Sequence, residues 1–263
     1  MKKLISIALA VLMIAACFAG CQNSAKDSQS DASTASGKTK KWVVATDTVF
    51  KPFEYTDKEN NFVGIDVDIL AAVAKDQNFE YELKSLGWDS AIAACKSNQA
   101  DAMIAGASIT EKRQNEGWIF SDGYYTATQS MTVKSDSTIT KFEDLNGKTV
   151  AVKTGTMGAA YAESLKDKYG FTLTYLEDSP TMYQTVVGGQ AAACFEDTPI
   201  MITSIKDNGY ALKVVEGTEN KGSDYGVAIF DSSKQEFLDM FNAGLKNIKA
   251  SGEYDKIIDK YLG

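Results

Sequence analysis

The segment Ala105-Gly106-Ala107-Ser108-Ile109-Thr110-Glu111-Lys112-Arg113 reads as the end of a buried strand, with Thr110 placed to cap a short helix whose first turn holds Arg113. A cation in a first turn opposes the helix dipole. An anion lying between the helix amides, Ser108 and Arg113 would remove that penalty, and a carboxylate suits the two-pronged guanidinium. The alternative is a surface arginine paired with Glu111 or Glu116. In Phe195-Glu196-Asp197-Thr198-Pro199 two acids close a predicted strand and Pro199 stands early in the following helix. Local grounds make Asp197 an N-cap. The end of such a strand also lies in the crevice where open α/β sheets bind ligands, so Asp197 is placed to receive an ammonium. A carboxylate receptor and an ammonium receptor facing one another would recognise an α-amino acid.

Two further segments carry polar groups to strand ends. Val152-Lys153-Thr154-Gly155-Thr156-Met157-Gly158 is a strand-to-helix turn with two glycines and a lysine, but it lacks the Gly-x4-Gly-Lys-Ser/Thr spacing of a phosphate loop. Either its glycines serve only a tight turn, or its exposed amides and Lys153 face the same crevice. In Ala45-Thr46-Asp47-Thr48-Val49-Phe50-Lys51-Pro52-Phe53-Glu54, Asp47 and Phe50 lie just beyond the first strand, and Trp88 stands at the start of a helix. Aromatics at such points serve either as core or as ligand walls. The chain has no histidine, which removes the usual metal ligand and general base and excludes a Ser-His-Asp or Cys-His nucleophile. No cofactor and no metal site is expected.

The elements that must position these residues alternate between strand and helix, the pattern of open α/β sheets. Predicted strands run Trp42 to Thr46, Tyr81 to Lys84 and Ala102 to Ala105, with helices Asp66 to Gln77 and Asp89 to Ser97 between them. A second set comprises strand Thr149 to Val152, helix Gly158 to Tyr169, strand Thr172 to Leu176, a helix capped by Ser179 and opened by Pro180, strand Ala192 to Phe195 and helix Thr198 to Lys206. Extended stretches near Tyr124 to Val133 and Tyr225 to Phe230 read as two crossings between lobes. Helices Lys234 to Lys249 and Tyr254 to Tyr261 would return to the first lobe. The expected division is 41–127 with 223–263 as lobe 1 and 128–222 as lobe 2.

Ahead of these lobes, Lys2 and Lys3, the apolar run Leu4 to Ala16 and the small pair Ala19 and Gly20 read as an export signal, 1–20, too short to span a membrane comfortably. A small pair before Cys21 resembles the lipobox of bacterial lipoproteins, in which cleavage leaves the cysteine first and its sulfur takes a diacylglycerol. Phe18 stands where that pattern usually has Leu, and the alternative is an ordinary signal with Cys21 incidental. Residues 21–40, rich in Ser, Ala, Asp, Thr and Lys without apolar periodicity, read as a flexible tether. Cys95 and Cys194 then remain for the folded part, both in Ala-rich apolar contexts that suit buried, inert thiols. The net charge of −8, which becomes −10 without the signal, argues against a nucleic-acid partner.

The segments Ala45 to Glu54, Val63 to Asp68, Ser121 to Tyr125, Ala151 to Thr156 and Asp197 to Pro199, in register, resemble the polar amino-acid-binding proteins of ABC importers, family 3 of the extracellular solute-binding proteins, and most nearly their glutamine-binding members. The resemblance runs from about Lys41 to the C-terminus. It implies a two-lobed periplasmic-binding-protein-like fold of type II, a mixed sheet in each lobe and two hinge strands. It implies a monomer, exported and held to the outer face of the membrane by lipid on Cys21, that closes on L-glutamine or a similar polar amino acid and delivers it to membrane permease subunits. It implies that Arg113, Ser108 and the backbone at Gly106 hold the α-carboxylate and Asp197 the α-ammonium. Phe50 and Trp88 would sandwich the ligand's aliphatic part, with Asp47 and Lys153 at its far end and Thr156, Met157 and Glu196 completing the wall.

Four positions depart from the glutamine-binding pattern: Trp88 for Phe, Ser108 for Thr, Met157 for Gly and Glu196 for His. The last two leave arginine or lysine open as ligand. A dehydratase of cyclic acids on the same fold, with Asp47, Glu196 and Asp197 as acid or base, and a sensory subunit are the rival readings.

Overall fold

The computed structural model describes residues 40–263. The expected export signal, Cys21 and all but the last residue of the tether lie outside the described residues. Strand β1 (Lys41–Thr46) opens the fold, followed by the small hairpin β2 (Tyr55–Thr56) and β3 (Phe62–Val63). Then come α1 (Ile65–Gln77), β4 (Glu80–Ser85), α2 (Trp88–Lys96), β5 (Ala102–Met103), α3 (Glu111–Asn115) and β6 (Ile119–Phe120). Helix α1 buries Ile65, Ile69, Leu70, Val73 and Ala74, the spacing of one helical face.

Strand β7 (Tyr125–Ala127) leads into the second lobe: β8 (Gln129–Lys134), β9 (Thr149–Lys153), α4 (Met157–Tyr169), β10 (Thr172–Leu176), α5 (Ser179–Val187), β11 (Ala193–Asp197), α6 (Thr198–Asn208) and β12 (Leu212–Val214). The chain returns through β13 (Ser223–Tyr225) and β14 (Ala228–Ile229) and ends in α7 (Gln235–Ala250) and α8 (Glu253–Leu262).

Two mixed sheets result. The first has the order β4-β1-β5-β14-β6, with β1 parallel to β4 and β5 and β14 antiparallel to its neighbours. The second has the order β10-β9-β11-β8-β12, with β9 parallel to β10 and β11 and β8 antiparallel to β11 and β12. Strands β7 and β13 pair antiparallel, Tyr125 opposite Tyr225, and connect the two sheets; the crossings are shorter than expected, since Gln129–Lys134 is already β8 of the second sheet and Ala228–Ile229 is β14 of the first. This is the two-lobed α/β architecture of type II periplasmic-binding proteins.

Each lobe has its own core. In the first, Trp42, Ile69, Leu70 and Val73 pack with Phe237, Leu238, Phe241 and Leu245 of α7, and Trp42 lies 5.2 Å from Phe237 between ring centroids. The C-terminal helices thus return to the first lobe, and each large side chain fully buried there contributes about 1.5–3 kcal/mol. In the second, Met131, Val133, Val150 and Val152 pack with Phe195 and Ala159. Gly158 in α4 admits no side chain, because a Cβ there would stand 2.4 Å from the Phe195 carbonyl. That close approach draws the start of α4 onto the end of β11.

Three local expectations change. Helix α5 is capped by Asp178, which accepts from the Thr181 amide at 2.8 Å, while Ser179 lies inside the helix and turns its hydroxyl to Glu196. Strand β5 ends at Met103 rather than Ala105. Strand β11 runs on through Glu196 to Asp197, since pairing with β8 continues to Gln129.

Candidate functional site

The carboxyl ends of β1, β9 and β11 and the segment after β5 converge on one narrow cavity between the sheets. The first lobe contributes Asp47, Phe50, Trp88, Gly106, Ser108 and Arg113, and the second Lys153, Thr156, Met157, Glu196 and Asp197. All the positions singled out from sequence therefore share one wall or the other, and Ala105 is the lining residue that sequence did not suggest.

Thr110 caps α3 as expected, accepting from the Arg113 amide at 3.2 Å. Arg113 is only 7% exposed. Its Nη1 donates to the Ser108 carbonyl at 2.8 Å and its Nη2 reaches across to the Gly155 carbonyl of the second lobe at 3.2 Å. The guanidinium carbon lies 5.1 Å from the Trp88 ring and 5.0 Å from the Trp118 ring, a cation–π cradle of two indoles. Burial lowers its pKa to about 10, so it stays a cation at neutral pH. Glu116 pairs instead with Lys112, at 4.0 Å. The result is a buried cation with no directly paired carboxylate among the described residues, which an incoming carboxylate would satisfy. Ser108 is buried beside it, and its amide makes no hydrogen bond among the described residues.

The amide of Gly106 is already committed, donating to Asp66 Oδ2 at 2.9 Å. It therefore cannot hold a carboxylate as the resemblance implied. The Gly106 carbonyl remains uncommitted among the described residues, and a carbonyl accepts from an ammonium.

Asp197 occupies the N-cap position of α6, yet its side chain makes no capping bond. Gln129 Nε2 and the Tyr225 hydroxyl donate to its two oxygens instead, and Asn220 Nδ2 in turn orients Gln129 by donating to its carbonyl oxygen at 2.6 Å. Burial, aided by the neighbouring Glu196, pushes the Asp197 carboxyl up to about 7, against the bonds from Tyr225 and Gln129 and the charge of Arg113. Glu196 is drawn into its own lobe, accepting from the Ser179 hydroxyl at 2.8 Å, the Tyr183 hydroxyl at 3.0 Å and the Asp197 amide at 3.0 Å. Burial raises its pKa also.

At the other end of the cavity Lys153 and Asp47 form a buried ion pair between the lobes. Thr48 donates its amide to the second Asp47 oxygen at 2.6 Å, and Lys153 Nζ lies 5.5 Å from the Phe50 ring centre. Thr156 uses its hydroxyl to cap α4, accepting from the Ala159 amide at 3.3 Å. The indole N–H of Trp88 is buried on the cavity wall without an acceptor among the described residues. A Phe, as in the glutamine-binding pattern, would lack that donor. Away from the cavity, Lys51 and Asp207 join the lobes at 2.8 Å. Cys95 and Cys194 are buried free thiols; burial pushes Cys95 up to about 12 and Cys194 well above the ordinary range, as inert thiols require.

Trp118, Gln129 and Tyr225 were not among the residues singled out. Gln129 and Tyr225 lie in the stretches read as crossings, where side chains must face the cleft, and that placement was the available signal.

A cationic ligand group at Asp197 requires the ionised carboxylate. Affinity is therefore expected to weaken as pH falls below about 7, by at most about tenfold per pH unit, which titrations between about pH 5 and about pH 8 would measure. Stability of the empty protein has the opposite sign. The folded state retains a proton that the unfolded chain releases, so the contribution of Asp197 to stability declines as pH rises from the ordinary aspartate range to about 7.

A family model described as bacterial extracellular solute-binding proteins, family 3, matches residues 42–263, and the chain belongs to that family. It is thus a solute-binding protein of an exported class and not an enzyme. The arginine-binding extracellular protein ArtP of Bacillus subtilis (strain 168) is 31% identical over 256 residues, 96% of each chain. The ABC transporter glutamine-binding protein GlnH of the same organism is 29% identical, over 100% of this chain and 98% of its own. Among solved structures, the arginine-, lysine-, histidine-binding protein ArtJ of Geobacillus stearothermophilus superposes with a TM-score of 0.78 at 34% identity, covering 85% of this chain and 96% of that one.

Proposed function

We propose that this protein captures L-glutamine in the cleft and presents it to the permease of an ABC importer. It is the extracytoplasmic substrate-binding component for a polar amino acid, tethered to the membrane through lipid on Cys21. The α-carboxylate pairs with Arg113, Ser108 and the start of α4; the α-ammonium meets Asp197 and the Gly106 carbonyl; Phe50 and Trp88 hold the aliphatic part. Closure of the lobes desolvates both charges, which is tolerable because each is paired.

The observation that carries glutamine is the buried Lys153–Asp47 pair at the far end. It offers one donor and one acceptor side by side, the complement of a carboxamide. A lysine or arginine side chain would bring its charge against the Lys153 ammonium. One observation favours such a cation nonetheless: with Glu196 and Asp197 both ionised, the cavity holds one negative charge more than Arg113 and Lys153 balance. The networks around Glu196 weigh against this, since three donors within its own lobe already satisfy that carboxylate.

The test is calorimetric titration of residues 41–263, refolded to strip carried ligand, against the twenty amino acids. Glutamine should bind with a micromolar or lower Kd, about −8 kcal/mol or better, and arginine at least about tenfold more weakly. Tighter binding of arginine would reassign the ligand within the class, and binding of no amino acid would reject the reading.

A further inference from the structure

Two carboxyl groups lie behind the cavity wall of the first lobe without a cation between them. Glu54, on the loop that follows Phe50 and Phe53, and Asp66, in the first turn of α1, are both 0% exposed. Asp66 Oδ2 accepts from the Gly106 amide and from the Tyr124 hydroxyl, each at 2.9 Å. Asp66 Oδ1 and both oxygens of Glu54 have no donor among the described residues. The backbone brings the two together, the Asp66 amide donating to the carbonyl of Phe53, the residue before Glu54, at 3.0 Å, and each carboxyl perturbs the titration of the other.

Ionised carboxylates only accept, so two of them side by side leave those oxygens unsatisfied and their charges repelling in a site without water. One proton resolves both difficulties. Asp66 already receives two donors as an anion, whereas Glu54 receives none and also faces Asp47, so the proton belongs on Glu54. Burial, Asp66 and Asp47 raise the Glu54 carboxyl well above the usual range, with Lys153 opposing. Asp66 rises to about 6 by burial, with the bonds from Gly106, Tyr124 and Glu54 acting the other way. Tyr254 also lies within the field of Asp66.

We infer that Glu54 is a neutral acid donating to Asp66 Oδ1, and that the pair is a positioning device anchoring the Gly106 amide and with it the Gly106–Ser108 wall of the cavity. Gly106 sits at φ +54, where a side chain would stand 2.6 Å from the Phe50 ring, so this wall is closely set and its anchor decides where the Gly106 carbonyl and the Ser108 amide point. Loss of the proton removes the third donor to Asp66 and adds a negative charge behind the wall.

Infrared difference spectra of wild type against Glu54→Gln at neutral pH should show the carbonyl stretch of a protonated carboxyl group that the variant lacks. The Gly106 amide proton should resonate far downfield in wild type and in Glu54→Gln, whose amide still donates, and move upfield in Glu54→Leu. In glutamine titrations Glu54→Gln should stay within about threefold of wild type and Glu54→Leu weaken by about tenfold, the size of one lost hydrogen bond to a charged group. Absence of the infrared band, or an unmoved Gly106 resonance in Glu54→Leu, overturns the inference. If Glu54→Leu does not fold, the infrared comparison decides alone. The titration arm rests on the glutamine reading, whereas the two spectroscopic arms use no ligand, so failure of that reading leaves the pair testable.

Discussion

Arg113→Ala should abolish measurable amino-acid binding, a loss of at least a thousandfold, or about 4 kcal/mol at 1.4 kcal/mol per decade. Among the described residues the guanidinium is the cation at the proposed carboxylate side of the cavity, and its orientation is fixed by the Ser108 carbonyl and the faces of Trp88 and Trp118. A ligand carboxylate left in that dry pocket would be uncompensated, and truncating one partner of a buried charge pair costs 2–5 kcal/mol or more. Arg113→Lys keeps the charge but loses the fork and the stacking, so about 30-fold weaker binding is expected rather than none. The empty protein should be little affected, because an arginine buried without a directly paired carboxylate contributes desolvation cost as well as contacts. Thermal melts distinguish these statements: the rise in Tm caused by ligand should vanish while the Tm of the empty protein stays within a few degrees. Near-native affinity in Arg113→Ala would remove the carboxylate assignment.

Asp197→Asn should weaken binding by about a hundredfold or more, since a buried ammonium then faces no full negative charge and only neutral acceptors remain. The substitution is isosteric: the amide oxygen can keep the Gln129 donor, and the amide NH2 can donate to the Tyr225 hydroxyl, which then accepts instead of donating. It should also flatten the dependence of affinity on pH below about 7, because the group that titrates there has gone. At neutral pH the empty variant should be no less stable than wild type, as a carboxylate beside Glu196 is no longer held in a dry site. Calorimetry across pH reads both effects; a pH profile unchanged from wild type would place the titrating group elsewhere.

The fold was legible in the sequence because alternation of strand and helix signals survives at the resolution of single elements. The 3.6-residue spacing of Ile69, Leu70 and Val73 and the strand run from Trp42 to Thr46 both reappear as elements, displaced by a residue or less at their ends. Asp47, Lys153, Glu196 and Asp197 were legible because they stand at strand ends, where an open sheet must expose them, and Arg113 and Trp88 because they stand in the first turns of helices that follow such ends. What was not legible depended on side chains meeting across the fold. Asp178 and Ser179 are both good caps, and choosing between them required the Glu196 carboxylate, which recruits the serine hydroxyl. Asp197 reads locally as a cap until Gln129 and Tyr225, from segments on either side of the second lobe, claim its oxygens. Likewise nothing near Gly106 in the chain says that its amide belongs to Asp66, forty positions earlier.

The hydroxyl that steadies Asp197 comes from Tyr225, a ring packed 5.1 Å from Phe53 and 6.2 Å from Tyr124 in the core of the opposite lobe and carried on one of the two connecting strands. In the proposed assignment the ammonium receptor and the connecting strand are thus one mechanical object. A torque that swings the second lobe away from Phe53 and Tyr124 would draw Asp197 off its donor and leave a ligand ammonium held from one side. Affinity is then a function of hinge angle, and any machine that can pull the two lobes apart can empty the cleft without touching the ligand.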